Sequence, residues 1–197
     1  MNKHRRTEQA RTLVKPGVAW RVLGPTQEIL SCSVFSILAV EKEHIINGAR
    51  STFYSLQAPT WVNIVAVTVE DNLILVRQYR HGINDYVLEL PAGMVTEGED
   101  PALTAKRELL EETGFEGREI GLLGRLFPNP GLQNNECFTY CFDKCTQIKD
   151  PNPEAFEDLV VQSVPLETVD DLIMTGRFRN ALSIAAIHIF RAFRNRL

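Results

Sequence analysis

The sequence predicts an α/β fold with a mixed sheet, preceded by a small N-terminal antiparallel β-domain. Strand-like runs come first, a short acidic helix follows, more strands come next, and helical runs close the chain. Strands grouped in this way favour a layered fold over a regularly alternating, doubly wound sheet. The length of 197 residues suffices for one good core plus a small appendage. A content of 44% hydrophobic and 23% charged residues is ordinary for a globular domain.

Taken in order, residues 1–16 are polar, lack an apolar h-region and read as a mobile lead rather than a signal peptide. Residues 17–58 read as short strands with turns. SVFSILAVEKEHII is partly alternating, and Asn47-Gly48 behind it is a hairpin signal. Pro59 marks a boundary, with residues 59–197 forming the second domain. WVNIVAVTV and LILVRQYR flank a turn at Glu70-Asp71-Asn72, and YVLELPAG reads as one further strand. A helix follows from Asp100, a good N-cap, with Pro101 in its first turn and Gly114 beyond its end. Ala102, Leu103, Ala105, Leu109 and Leu110 supply its apolar stripe. EIGLLGRLF, ECFTYCFDK and DLVVQSVPL are strands, LETVDDLIMTG is helical to about Gly176, and ALSIAAIHIFRAFRNRL is a long amphipathic helix.

The acidic helix carries the chemistry. Glu108 and Glu112 are four residues apart, so they stack on one helix face and repel each other. A divalent cation held between carboxylates accounts for tolerating that clash. Arg107 precedes Glu111 by one turn and is placed to pair with it or with Glu99. The bland alternative, a solvated acidic face, is the usual fate of such charge runs.

Gly93, Glu99, Arg107, Glu108, Leu109, Glu111, Glu112, Gly114 and Phe115 together match the pattern G-x5-E-x7-R-E-U-x-E-E-x-G-U, with U apolar. This resembles the signature of the Nudix hydrolases, and every fixed position agrees. The resemblance implies a Nudix α/β/α sandwich over about residues 60–197, with cleavage of a nucleoside diphosphate linked to another group. It also implies Mg2+ (Mn2+ as the alternative), held by Glu108, Glu111, Glu112 and the Ala92 carbonyl.

Further runs resemble the ADP-ribose pyrophosphatase and nucleoside diphosphate sugar hydrolase subgroup. Arg80 of RQYRHG is the candidate for the diphosphate or terminal ribose, where a guanidinium fork suits phosphate oxygens. Glu89 of LELPAG, and Pro130 with Gly131 beyond the signature, are further substrate-binding candidates. Asn129 stands where the subgroup has Ser, and Glu136 comes one place late, which leaves other nucleotide sugars open. In these relatives the N-terminal β segment builds a dimer and reaches into the partner's site. A homodimer is therefore expected, with Arg50, Phe53 and Tyr54 offering a platform for the base. Trp61 reads as core or as lining of that pocket. The general base is expected in KDPNPEAFEDLV, with Glu157 preferred over Glu154 and Glu136 as the third alternative; Glu111 and Glu112 complete the catalytic set.

A net charge of -4 and a pI of about 5.6 argue against bulk nucleic-acid or membrane binding. Cys137, Cys141 and Cys145 recur every four residues without zinc-type pairs, so buried free thiols are expected. With Cys32 they fit a reducing cytoplasm. Two other readings remain open. One is a Nudix hydrolase of dinucleoside polyphosphates, coenzyme A or NADH; the other is a sensor that binds ADP-ribose without cleaving it.

Overall fold

The computed structural model describes residues 20–153 and 157–196. The expected lead at 1–16 and the candidate Glu154 lie outside the described residues. The chain divides into two compact units, one through Gln57 and one from Ala58.

The first unit contains β1 (Trp20–Val22), β2 (Gln27–Ser31), β3 (Ser36–His44) and β4 (Arg50–Gln57), all antiparallel. β3 is the spine. β4 lines one edge, while β1 and β2 share the other end to end. The β3–β4 hairpin is longer than an Asn-Gly two-residue turn. His44 and Ala49 close it, the Gly48 N–H donates to the His44 carbonyl, and Gly48 takes the left-handed position at φ +70. Among the described residues of this unit only Ala39 and Glu43 are buried. Glu43 is held between Arg50 and Arg21, which keep its carboxyl below the usual range.

The second unit is a seven-stranded mixed sheet with helices on both faces. Its strands are β5 (Trp61–Thr68), β6 (Asn72–Arg80), β7 (Asp85–Glu89), β8 (Ala92–Met94), β9 (Phe115–Leu126), β10 (Cys137–Gln147) and β11 (Leu159–Pro165). They run in the order β11-β6-β5-β10-β9, with β7 on β6 and β8 on β5; β5–β10 is the parallel pair. β5 alternates between two cores. Val62, Ile64 and Ala66 pack with Ala105 and Leu109 of α1 (Pro101–Thr113). Val65 and Val67 pack with Val169 of α2 (Val169–Met174) and with Ala186, Ile187 and Phe190 of α3 (Ala181–Arg194). A strand covered on both faces explains the nearly unbroken apolar run WVNIVAV.

The pairing of β5 with β6 positions the site. They pair only at Val67–Leu73, beside the turn where Asp71 adopts φ 61, and then part. β7 continues along β6 and β8 along β5, so the chain crosses from one to the other at Leu90-Pro91. YVLELPAG is therefore two strands rather than one. Pro91 has no N–H to give a ladder, and its carbonyl instead accepts from Ile64 N at 2.9 Å.

Two further corrections concern the helices. The run from Leu166 opens with a 3-10 turn (Leu166–Thr168) before α2. In α1, Leu103 is 62% exposed, while Thr104 and Glu112 are buried. Ala105, Leu109 and Glu112 share the inner face, and Leu103 projects from the other side. Cys137, Cys141 and Cys145 are buried free thiols, and burial pushes them up to about 12, 12 and 11. No helix among the described residues is long and apolar enough to cross a membrane.

Candidate active site

α1 is capped as its sequence demands. The Asp100 carboxylate accepts from Ala102 N at 2.9 Å. Gly114 ends the helix at φ 74, with its N–H on the Leu110 carbonyl at 3.0 Å. A side chain there would collide with the Lys149 carbonyl at 2.0 Å, so two reasons demand glycine.

β8 lies beside this helix, and the contact is close. A Cβ built on Gly93 would fall 2.1 Å from the Glu108 carboxyl carbon. The absent side chain is the space the Glu108 carboxylate occupies. One turn on, the Glu112 carboxylate accepts from Ala92 N at 3.0 Å and is 1% exposed. Burial, then repulsion from Glu157 and Glu108, raises Glu112 to about 9; the Ala92 N–H and Arg80 act against this. Burial also raises Glu108 to about 7, with Arg107 opposing and Glu111 and Glu157 adding to the rise. Thus Glu157, just before β11, shares a field with both helix carboxylates across the parted strands.

Arg107 gathers the outer acids. It reaches Glu111 at 2.8 Å, Glu108 at 3.0 Å and Glu99 at 3.4 Å, so it pairs with both expected partners and a third. Glu99 is held below its ordinary range, first by the Arg107 hydrogen bond. Glu111 faces this guanidinium and is the more exposed acid. Among the described residues no three His, Cys, Asp or Glu side chains close into a ready metal cage. The donor set nonetheless suits a hard dication that keeps several of its waters: carboxylate oxygens on α1, with a glycine cradle for Glu108 and the β8 backbone against Glu112.

The substrate candidates fall into three places. Arg80 closes β6 and pairs through Nε with the 2% exposed Glu89 at 2.6 Å. Burial raises Glu89, while Arg80 and Asn180 oppose the rise. Pro130 and Gly131 form an exposed turn between β9 and β10, with Leu132 N and Gln133 N both on the Asn129 carbonyl. Glu136 opens the approach to β10, its carbonyl accepting from Trp61 N. Trp61 is half-buried at the start of β5. Arg50, Phe53 and Tyr54 lie on β4 of the first unit; Phe53 meets Trp20 edge-on at 5.1 Å, and Tyr54 is 60% exposed.

The sequence reading missed Asn180 and Ser183 at the start of α3. Asn180 accepts from Ser183 N at 2.9 Å and donates to Glu89 at 2.5 Å, while Leu90 N donates to the Ser183 hydroxyl at 3.1 Å. Asn just before an apolar-periodic run is a legible N-cap signal. Its bond to a residue 91 positions earlier has no local signal. Also missed was the bond from the Tyr86 hydroxyl to Asp158, the residue after Glu157.

Comparison with known proteins agrees with this geometry. The NUDIX domain model matches residues 59–185. The chain belongs to the NUDIX family. It is 28% identical over 162 residues to the ADP-ribose pyrophosphatase of Bacillus subtilis (strain 168), covering 82% of this chain and 87% of that one. It is 35% identical over 115 residues to the methanol dehydrogenase activator of Bacillus methanolicus, covering 58% of this chain and 62% of that protein's length. Among solved structures, a crystal structure of an ADP compounds hydrolase superposes with a TM-score of 0.79 at 26% identity, covering 91% of this Nudix chain and 96% of the other.

Proposed function

We propose that this Nudix protein hydrolyses the diphosphate bond of ADP-ribose or a related nucleoside diphosphate sugar. The products are a nucleoside monophosphate and a sugar phosphate; ADP-ribose gives AMP and ribose 5-phosphate. The observation that carries the reading is the Glu108 carboxylate against the bare Cα of Gly93, with Glu112 buried one turn away and Glu157 in the same field. Relatives named ADP-ribose pyrophosphatase and ADP compounds hydrolase support the substrate class.

Glu108, Glu112 and the Ala92 carbonyl would hold Mg2+ or Mn2+, with Glu111 beside them. When bound, such an ion neutralises charge on the diphosphate and makes a ligated water more acidic. Glu157 takes the proton as the water oxygen attacks one phosphorus and the other phosphate departs. Arg80, rooted on Glu89, grips the diphosphate, and Pro130-Gly131 shapes the far side of the substrate. Arg107 fixes Glu99 and Glu111. The first unit exposes Trp20, Ile29, Leu30 and Tyr54 and buries little of its own. A homodimer built on that unit covers this surface and offers Arg50, Phe53 and Tyr54 to the partner's nucleotide. The free thiols suit a reducing cytoplasm.

The test is a panel of ADP-ribose, other nucleotide sugars, NADH, coenzyme A and dinucleoside polyphosphates with Mg2+. AMP and ribose 5-phosphate should form fastest from the first. Binding of ADP-ribose without any product would favour the sensor instead. Glu157→Gln should lower kcat by about a hundredfold or more, comparably to Glu112→Gln; near-normal turnover would remove Glu157 from the mechanism.

A further inference from the structure

We infer that Asn180, at the start of α3, is a positioning residue for substrate binding, setting the Arg80 guanidinium through the carboxylate of Glu89. The inference rests on the reading of Arg80 as a diphosphate ligand. Glu89 is 2% exposed, and its two oxygens are divided between two donors: Oε1 takes Arg80 Nε at 2.6 Å, and Oε2 takes the Asn180 amide. A buried carboxylate that loses one donor has an unsatisfied oxygen and is free to turn. Because the bond to Arg80 is made at Nε, the root of the guanidinium, a turn of Glu89 swings the whole planar fork.

The fold holds Asn180 at this spot from both sides. Phe178 pairs with Leu88 in an isolated parallel bridge, which lays the segment before α3 along β7. On the other side, the Asn180 side chain accepts from Ser183 N, and the Ser183 hydroxyl takes Leu90 N. One amide therefore caps α3 with its oxygen and steadies Glu89 with its nitrogen. Helix capping alone asks only for an acceptor, which Ser or Asp supplies as well. The Asn nitrogen is the part that capping does not explain. The start of α3 thus reaches both the Arg80 root and the backbone leading to Ala92.

The test is Asn180→Ser, which keeps the cap and loses the donor to Glu89, with Asn180→Asp as a second capping variant that places an acceptor there. Steady-state kinetics on ADP-ribose with Mg2+ should show KM raised about tenfold for Asn180→Ser, the worth of one hydrogen bond to a charged group, with kcat within about twofold. Asn180→Asp should raise KM further. Arg80→Ala should also raise KM, and adding Asn180→Ser to it should cost nothing more, since both act on one contact. An unchanged KM in both Asn180 variants, effects that multiply with Arg80→Ala, or losses confined to kcat and Tm would overturn the inference. Arg80→Ala with a normal KM would overturn the role of Arg80 and this inference together; an impaired Arg80→Ala beside silent Asn180 variants would overturn the inference alone.

Discussion

Glu112→Gln should make the metal-free protein more stable, and the gain should grow with pH. Folded Glu112 binds its proton more tightly than the unfolded side chain, about 9 against 4.5. Between those pH values the folded state holds more protons, so wild-type stability falls as pH rises through the window. Below it both states are protonated and the penalty vanishes. At pH 8 the shift corresponds to about 5 kcal/mol as a ceiling, and at pH 5 to about 1 kcal/mol. Glu108 and Glu157 share the repulsion, so a gain of about 2–4 kcal/mol is expected at pH 8. Glutamine keeps an oxygen for the Ala92 N–H, so the change isolates charge from shape. Urea unfolding in EDTA at pH 5 and 8 measures it. Adding Mg2+ should then stabilise the wild type more than the variant, because only a folded site rewards binding. A variant less stable than wild type at pH 8 without metal would refute the reasoning.

Gly93→Ala should lower kcat/KM by about a hundredfold by displacing the Glu108 carboxylate, with far-UV circular dichroism unchanged; a fully active variant would show that this cradle does not matter. Gly114→Ala should cost about 2–4 kcal/mol of stability, from the left-handed φ of 74 and the clash with Lys149. That loss should be the same with and without Mg2+ in thermal unfolding, since it acts on the helix end rather than on the carboxylates.

The chain by itself determined what depends on neighbours in sequence. Asp100, Pro101 and Gly114 bounded α1, the 108/112 spacing put two acids on one face, and the apolar runs either side of Glu70-Asp71-Asn72 marked β5 and β6. The signature from Gly93 to Phe115 pointed to the family because its chemistry needs fixed offsets along one strand, loop and helix. Local pattern misled where packing had the last word: Leu103 counted as core from its type, yet the inner stripe runs through Glu112, an acid no apolar count would include. Only the tertiary structure decided that β5 and β6 part after one pair, that Gly93 meets Glu108, and that Asn180 closes on Glu89. These contacts join segments far apart in the chain, and their geometry follows from how the sheet splits and the layers stack. A side chain's type limits the bonds it can make; the fold chooses which distant partner receives them.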